Sequence, residues 1–258
     1  MYEELEPEKY RAEPPSLLNA LTELPRTLVE VGSLAMTMPV LASLPRGDGH
    51  PVLVLPGFMA GDESTLVLRR YLQMMGYSPV GWQLGRNTGR REIIEQTLIS
   101  RFEELSAKYK QKISLIGQSL GGVYGRELGR LFPGQVRQII TLGSPFSMTS
   151  ASATNPLVRK LFENQSGGNV DEMRRLMSQK RSSQTPITAI YSRGDGVVNW
   201  RGCIELEPDS NAENIEVCGS HCGMAFNPSI YRIIADRLAQ PEGAWARYDK
   251  STFGSMFG

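Results

Sequence analysis

The feature that most constrains this chain is the five-residue stretch Gly-Gln-Ser-Leu-Gly at positions 117–121. A short apolar run at 112–116 precedes it, and apolar residues at helical spacing follow it over 122–132. The pattern predicts a strand, a tight turn and a helix. Because the turn strains the backbone of Ser119 and crowds its neighbours, it needs glycine two residues on either side. The serine hydroxyl then stands exposed beyond the strand, where the helix N-terminus offers N–H groups to an oxyanion.

On its own, this five-residue pattern also fits a glycine-rich turn in which the serine caps a helix. Its surroundings are more specific, because other stretches supply partners for a reactive serine. The chain resembles the α/β-hydrolase family, in particular its lipase and esterase branch. The resemblance rests on residues 52–58, 117–121, 191–198 and 219–221, within a span of roughly residues 50–240. It implies an α/β fold with a mostly parallel central sheet, helices on both faces and a small helical cap.

Apolar runs alternate with helical spacing along the chain, as expected for a parallel sheet with crossover helices. The predicted strands cover residues 51–55, 77–84, 112–116, 136–142, 185–192 and 215–217. The predicted helices cover residues 63–75, 90–110, 122–132 and 227–238. The loop at 85–89 follows a strand, at the edge where such sheets open toward a ligand. Its residues Arg86 and Asn87 are therefore either substrate contacts or solvated loop residues.

The alternation of strands and helices divides the chain into four parts. These are an N-terminal helical arm packing on the core (1–48), an α/β-hydrolase core (49–146 and 185–240), a cap or lid insertion (147–184) and a C-terminal tail (241–258). The insertion is assigned because polar stretches around two short helical patterns, near 157–163 and 171–179, interrupt the alternation. We leave open whether the cap moves as a lid or forms a static cover.

Leucines and valines recur at helical spacing over residues 17–34, and Pro25 predicts a break or a new first turn. Two interpretations of this apolar face are open. Either the whole segment packs over the core, or its apolar face, continued by residues 36–41, contacts lipid, a long acyl substrate or a second subunit in a homodimer. The apolar stretch at 27–44 contains a glutamate and a proline, and it is too short and too interrupted to span a membrane.

Size and charge limit the functions that the chain can have. Its 258 residues can hold one large core, which favours a single α/β domain. With 28 Lys and Arg against 27 Asp and Glu, the formal net charge is +1. No dense basic patch is present, so no nucleic-acid partner is expected. The first six residues include three glutamates where an export signal would be basic and then apolar, and we therefore expect a cytoplasmic location.

Acyl transfer by a serine needs a base within hydrogen-bond reach and a carboxylate that orients the base. Of the two histidines, His50 lies before the first strand, on the wrong side of the sheet, whereas His221 follows the last strand. Asp195 lies in a Gly-Asp-Gly turn after a strand. The order Ser119, Asp195, His221 is the one that the resemblance leads us to expect. Other carboxylates left open as partners of His221 are Asp171, Glu205, Glu207 and Asp209.

The resemblance also implies an oxyanion hole made of two backbone N–H groups. The first would come from Phe58 after the first strand, with Met59 as the alternative, and the second from Leu120, directly after the serine. The chain has Pro56 and Gly57 where the family commonly has His-Gly, which leaves the backbone donor in place. In the family, a single glycine here is linked to medium or long acyl chains.

Three cysteines, Cys203, Cys218 and Cys222, lie in the last quarter of the chain. In a cytosolic chain we expect all three to be reduced, with a bridge from Cys203 left open under oxidising conditions. The run Cys-Gly-Ser-His-Cys at 218–222 places three metal-ligand types together. Adjacent His and Cys rarely bind one tetrahedral ion, however, so we predict no metal. No dinucleotide, phosphate or haem signature is present, and no cofactor is predicted.

Together these features predict a serine hydrolase that cleaves carboxylic esters, with Ser119 as nucleophile, His221 as base and Asp195 as its partner. The substrate would be a small-molecule ester or a lipid-like ester. The same residues would serve an acyltransferase or a thioesterase, and a non-catalytic binding protein on the hydrolase fold is a further alternative. Serine at position 119 argues against the family's dehalogenase and epoxide hydrolase branches, which are expected to carry aspartate there.

Overall fold

The computed structural model of the chain describes residues 13–90, 97–146, 154–165, 182–206 and 208–249. The helices are α1 (Leu17–Leu21), α2 (Glu23–Leu41), α3 (Leu66–Met74), α4 (Ile99–Tyr109), α5 (Leu120–Leu131), α6 (Pro156–Gln165) and α7 (Pro228–Ala239). The strands are β1 (Pro51–Leu55), β2 (Ser78–Gly81), β3 (Ile113–Gln118), β4 (Val136–Leu142), β5 (Ile187–Tyr191) and β6 (Ala212–Glu216). Two short 3₁₀ helices, Trp200–Cys203 and Cys222–Phe226, lie in the loops after β5 and β6.

The described strands form one sheet in the order β2-β1-β3-β4-β5-β6, and every neighbouring pair is parallel. β1 is buried along its whole length, as expected for an apolar strand that is covered on both faces. Because all strands run the same way, their carboxyl ends meet at one edge of the sheet. The predicted α/β fold with a mostly parallel sheet is confirmed.

Alternate residues of β1 enter two separate cores. Val52 and Val54 pack with side chains of α2, α3 and α7. Leu53 and Leu55 pack with side chains of α4 and α5. Successive strand residues point to opposite faces, so one apolar run contributes to both cores. Helices therefore cover both faces of the sheet, as predicted.

Several element boundaries differ from those predicted. α3 begins later than expected, at Leu66, whose side chain is exposed. β2 ends at Gly81 rather than at Leu84. The chain turns at Gln83, which has a φ of 60° and donates its N–H to Asp62 Oδ2 at 3.0 Å. This turn carries the chain away from the sheet before the predicted strand would have ended.

Two predicted helices are found with altered starts. α2 begins at Glu23, so Pro25 lies in its first turn, as predicted, where the missing N–H costs no hydrogen bond. The last part of the helix predicted over 90–110 is present as α4. Its earlier part, 91–96, lies outside the described residues.

The first part of the N-terminal arm turns its apolar side chains outward. Leu17 and Leu24 are each 73% exposed, whereas Glu23 and Glu30 on the opposite face are 7% and 8% exposed. Near the end of α2, Leu34 does pack in the core. This segment therefore contacts the rest of the chain mainly through its polar face, and most of its apolar side chains before Leu34 remain outside the core. None of the described helices is both long and apolar enough to span a membrane.

Helix α6 lies in the described part of the insertion 147–184, which we expect to form a cap. The aromatic ring of Phe162 in α6 lies against Phe58, which follows β1, with ring centroids 5.1 Å apart. Just before α6, Asn155 donates its N–H to the carbonyl of Val197, after β5, at 2.8 Å. These contacts fix the described part of the insertion over the carboxyl edge of the sheet. The second predicted cap helix lies outside the described residues.

His50 belongs to a buried polar network at the opposite edge of the sheet. Its Nε2 lies 2.9 Å from the hydroxyl of Ser114, a fully buried residue of β3, and its Nδ1 is bonded to Asp48. Asp48 also pairs with Arg137 at 2.8 Å. Burial, the largest influence, lowers the pKa of His50 below its ordinary value, although the hydrogen bond to Asp48 acts in the opposite direction. His50 therefore lies on the side of the sheet that the sequence predicted.

This network leads us to expect a loss of stability on mild acidification. Below about pH 6.5 the unfolded chain protonates His50 before the folded chain does, so the free energy of unfolding falls as the pH drops. The variant His50→Gln has no such proton linkage, and its stability should fall less steeply. Urea unfolding of both proteins at about pH 5, 6 and 7 measures the two slopes. Equal slopes would contradict the prediction.

Candidate active site

Ser119 lies on a strained turn between β3 and α5. Its φ and ψ are 50° and −121°, an unusual region for a residue with a side chain. A Cβ on Gly117 would lie under 3.0 Å from the backbone of Gly121 and Gly122, and one on Gly121 would lie as close to the carbonyl of Leu55. Both glycines of the motif are therefore required by close backbone approach. The turn has the geometry that the sequence predicts for an exposed serine.

Asp195 and His221 form a buried hydrogen-bonded pair. His221 Nδ1 lies 2.6 Å from Asp195 Oδ2. The other oxygen of Asp195 accepts the backbone N–H groups of Val197 at 2.8 Å and Val198 at 2.7 Å. The aspartate is thus fixed in the loop after β5, and the histidine lies in the loop after β6. This arrangement leaves Nε2 of the imidazole available to a reacting group.

The serine turn and the histidine loop meet at the carboxyl edge of the sheet. The side chain of Gln118, next to the serine, donates to the carbonyl of His221 at 3.1 Å. The N–H of Ser119 donates to the carbonyl of Leu142 at 2.8 Å, which fixes the turn against β4. Within the described residues the Ser119 hydroxyl makes no hydrogen bond. In ligand-free sites such bonds are often long and tighten when substrate binds.

The segment after β1 lies against the serine turn. A Cβ on Gly57 would be 3.4 Å from the Cβ of Ser119. The N–H of Met59 is bonded to the carbonyl of Asn87 at 2.7 Å, so the alternative oxyanion donor is already occupied. The N–H of Phe58 has no acceptor among the described residues. Leu120 is the first residue of α5, where N–H groups lack an intrahelical partner.

Asn87 holds this segment in place. Its side-chain amide donates to the carbonyl of Pro56 at 2.9 Å, and its Oδ1 accepts from the N–H of Gly89 and from the hydroxyl of Tyr124. The residue is fully buried. Neither sequence interpretation, substrate contact or solvated loop residue, describes this role. No short motif marks it, because the carbonyl of Pro56 and the hydroxyl of Tyr124 are far away in the chain.

The polar face of α2 also lies at the site. The sequence interpretation did not include it, because the helical spacing of leucines and valines marks only the apolar face. Glu23 and Glu30 accept hydrogen bonds from backbone N–H groups in the loop of His221. The available signal was the spacing of Glu23, Thr27 and Glu30, which places three polar side chains on one face of a helix.

The other carboxylates considered as partners of His221 are engaged elsewhere or not described. Asp209 is exposed and accepts the N–H of Asn211 at 2.9 Å. Glu205 pairs with Arg126. The remaining two candidates, Asp171 and Glu207, lie outside the described residues.

The pKa of His221 is raised above its ordinary value of 6.5. Burial, the largest single influence, lowers this pKa. The charge of Asp195, the hydrogen bond to it and the charge of Glu23 together outweigh burial. The imidazole is therefore a stronger base than a free histidine.

Within the described ranges, no group of three or more His, Cys, Asp and Glu side chains is placed to hold a metal ion. Cys203 is buried, whereas Cys218 and Cys222 are exposed thiols. Although Cys222 reaches the surface, partial burial of its sulfur, the largest influence, and the charge of Glu23 raise its pKa to about 11. This thiol is therefore protonated and weakly nucleophilic at neutral pH, unlike a catalytic cysteine.

No protein-family model matches the chain. A carboxylesterase of Bacillus subtilis (strain 168) is 23% identical over 175 residues, which cover 62% of this chain and 68% of that protein.

Among solved structures, Aspergillus fumigatus lipase B is similar with a TM-score of 0.62 and 18% identity; the match covers 82% of this chain and 57% of the lipase. The chain thus spans little more than half the length of that lipase. Paleococcus ferrophilus monoacylglycerol lipase is similar with a TM-score of 0.57 and 13% identity, and the match covers 76% of this chain and 95% of that one. The parallel sheet and these similarities agree, and the chain therefore has the α/β-hydrolase fold.

Proposed function

We propose that the protein is a serine hydrolase that cleaves carboxylic esters through Ser119, His221 and Asp195. The observation that carries the proposal is the buried pair of Asp195 and His221, in a loop bonded to the residue next to the strained serine. A histidine oriented by a carboxylate is the base that a serine hydroxyl needs to attack a carbonyl.

In the first half of the reaction, the hydroxyl of Ser119 attacks the ester carbonyl carbon while Nε2 of His221 takes its proton. The carbonyl oxygen becomes an oxyanion, which accepts hydrogen bonds from the N–H groups of Phe58 and Leu120. Each such donor stabilises the transition state by about 3–4 kcal/mol. The imidazolium then protonates the leaving alcohol as the ester C–O bond breaks, and an acyl-serine is formed.

In the second half, His221 takes a proton from water as the water oxygen attacks the acyl-serine. The tetrahedral species collapses, and the serine oxygen recovers a proton from the imidazolium while the carboxylic acid leaves. Asp195 keeps the same ring nitrogen protonated throughout and stabilises the imidazolium when it forms. An alcohol that attacks the acyl-serine in place of water would give acyl transfer. A thiol as the leaving group in place of an alcohol would mean cleavage of a thioester. Both reactions would use the same residues.

The experiment that tests the proposal is covalent labelling by a fluorophosphonate together with hydrolysis of p-nitrophenyl esters. We expect the label on Ser119, located by mass spectrometry of peptides. The matched control is Ser114→Ala, because Ser114 is bonded to the other histidine but is fully buried. Labelling that persists in Ser119→Ala, or a wild-type protein that neither labels nor hydrolyses any ester from acetate to palmitate, would reject the proposal.

The acyl chain length follows from the same assay. The wall formed by Phe58 and Phe162 is apolar and lies next to the proposed oxyanion donor. This supports the medium or long acyl chains that the single glycine at position 57 implies. A profile of kcat/KM against chain length measures the preference, and an optimum at acetate would contradict it.

The proposal includes a partner for the exposed apolar face of α1 and α2, which is either a lipid surface or a second copy of the chain. The exposure of this face supports the proposal of a partner. Four of its leucines are each more than 70% exposed, namely Leu17, Leu21, Leu24 and Leu28. Light scattering measures the mass in solution, and sedimentation with phosphatidylcholine vesicles measures lipid binding. A monomer that does not sediment with vesicles would exclude both partners.

A further inference from the structure

The two loops that carry Asp195 and His221 are lined by glycines whose missing side chains make room for the N-terminal helices. A Cβ on any of these glycines would lie under 3.0 Å from an atom of α1 or α2. The glycines and the residues that they face are Gly194 and Arg26, Gly196 and Asn19, Gly219 and Glu30, and Gly223 and Glu30. Both loops are thus fitted to the helices rather than merely covered by them.

Glu23 of α2 joins the two loops directly. Its Oε1 accepts the N–H of Gly196 at 2.7 Å and the N–H of His221 at 3.0 Å. Its Oε2 accepts the N–H of Cys222 at 3.2 Å. The carboxylate of Glu23 therefore binds the backbone of Gly196, which follows Asp195, and the backbone of His221 and Cys222.

Neighbouring side chains of α2 strengthen the same junction. Arg26 donates to the carbonyls of Gly194 at 2.6 Å and Gly219 at 3.2 Å, one in each loop, and it pairs with Glu23 at 3.2 Å. Glu30 accepts the N–H of Ser220, next to His221, at 3.0 Å. The polar face of α2 thus contacts both loops on either side of the proposed catalytic residues.

The hydrogen bonds of Glu23 matter because its carboxylate is buried. Glu23 is 7% exposed, and a carboxylate removed from water needs several donors to remain charged. Its backbone donors come from the two catalytic loops, and Arg26 supplies the guanidinium. The stability of α2 itself does not require an inward carboxylate, since an apolar residue would serve a helix that merely packs on the core.

We propose that Glu23 is a positioning residue that fixes the backbone of His221 relative to Asp195, an inference that rests on the proposed function of those two residues. Two bonds through Oε1 set the distance between the loops. Without them, the imidazole would still contact Asp195 but would sample orientations in which Nε2 is misplaced with respect to Ser119. A misplacement of about 1 Å is enough to lower a rate by about 10²-fold.

The carboxylate of Glu23 has a second effect, on the pKa of His221. The charged and titratable groups around His221 are Asp195 from the loop after β5, Glu23, Arg26 and Glu30 from α2, and Cys222 on its own loop. Of these, Asp195 and Glu23 raise the pKa of His221 through their negative charge. Removal of the charge of Glu23 should therefore lower this pKa.

The first experiment is an NMR titration of the histidine side chains in the full chain. The chain has two histidines, so His50→Gln assigns both resonances. We expect the pKa of His221 to fall in Glu23→Gln and in Glu23→Ala and to stay unchanged in the control Glu104→Gln, which alters an exposed side chain on α4. An unchanged pKa in both Glu23 variants would overturn the electrostatic part of the inference.

The second experiment separates positioning from folding by kinetics on p-nitrophenyl esters. Glu23→Ala should lower kcat by about 10- to 100-fold with little change in KM, because the substrate still binds but the base is displaced. Glu23→Gln keeps an oxygen that can accept the N–H groups of Gly196 and His221, and it should recover most of the lost kcat. Wild-type kcat in Glu23→Ala, or a glutamine variant as slow as the alanine variant, would overturn the positioning role.

Melting temperatures of the variants show whether a loss of activity comes from a loss of folding. If Glu23→Ala does not fold, Glu23→Asp takes its place in the kinetic test, because its carboxylate is one methylene short of the N–H groups of Gly196 and His221. A folded aspartate variant with lowered kcat supports the positioning role, and one with wild-type kcat rejects it. A wild-type protein without esterase activity would reject the proposed function alone. The titration of His221 requires no substrate and would still judge the contact between Glu23 and the histidine loop.

Discussion

Replacement of Ser119 by alanine is expected to lower kcat for p-nitrophenyl esters by on the order of 10⁶-fold, the loss typical of removing a serine nucleophile. The acyl-serine cannot form without the hydroxyl, and the oxyanion donors alone provide weak catalysis. The measurement is the steady-state rate at saturating ester, together with fluorophosphonate labelling, which should disappear.

The control for this prediction is the fold of the variant. Alanine at position 119 must adopt the same φ of 50°, and the hydroxyl makes no hydrogen bond within the described residues, so the melting temperature should be unchanged. A folded alanine variant that retains a tenth of wild-type activity would show that another group forms the acyl-enzyme, and the assignment of the nucleophile would be wrong.

Asp195→Asn is expected to lower kcat by about 10⁴-fold. The asparagine oxygen can still accept the N–H groups of Val197 and Val198, which leaves the side-chain amide facing His221. An amide N–H donates where the carboxylate accepted, so it favours the tautomer of His221 with its proton on Nε2. That nitrogen can then no longer take the proton of Ser119. Rates on the alkaline plateau of the wild-type pH profile, where the wild-type rate no longer rises with pH, measure the effect.

Asp209→Asn is the matched control for this prediction. Asp209 also lies between the serine and the histidine in the sequence, but its side chain is exposed and bonded to the N–H of Asn211. We expect its substitution to leave kcat unchanged. A large loss in Asp209→Asn with little loss in Asp195→Asn would assign the carboxylate of the triad to Asp209.

The central part of the fold was predictable because its signals are local. Apolar runs gave β1 and β4 with the bounds that the structure has, and α5 directly follows the serine turn. Glycine spacing gave the strained turn at Ser119, since the close backbone approach around it excludes any side chain at Gly117 and Gly121. The loops of Asp195 and His221 were expected because each follows a predicted strand, and the order of serine, aspartate and histidine came from the resemblance to the α/β-hydrolases.

The outer part was less predictable because its partners are distant in the chain. An amphipathic helix indicates two faces but not which one is buried, and here the polar face of α2 is inward, since it meets unpaired backbone groups of two loops. Asn87 was missed for the same reason. Its role depends on the carbonyl of Pro56 and the hydroxyl of Tyr124. No spacing of residues in the sequence predicts either contact.

Strand β3 carries Ser114 near its amino end and leads into Ser119 beyond its carboxyl end, with a histidine and an aspartate near each. Ser114 is hydrogen-bonded to its histidine yet sealed from solvent, whereas Ser119 makes no such bond within the described residues. A search of coordinates for a serine, a histidine and an aspartate joined by hydrogen bonds would select Ser114, His50 and Asp48, whose serine no substrate can reach. In this molecule, backbone strain and access to a substrate point to the proposed nucleophile better than side-chain connectivity does.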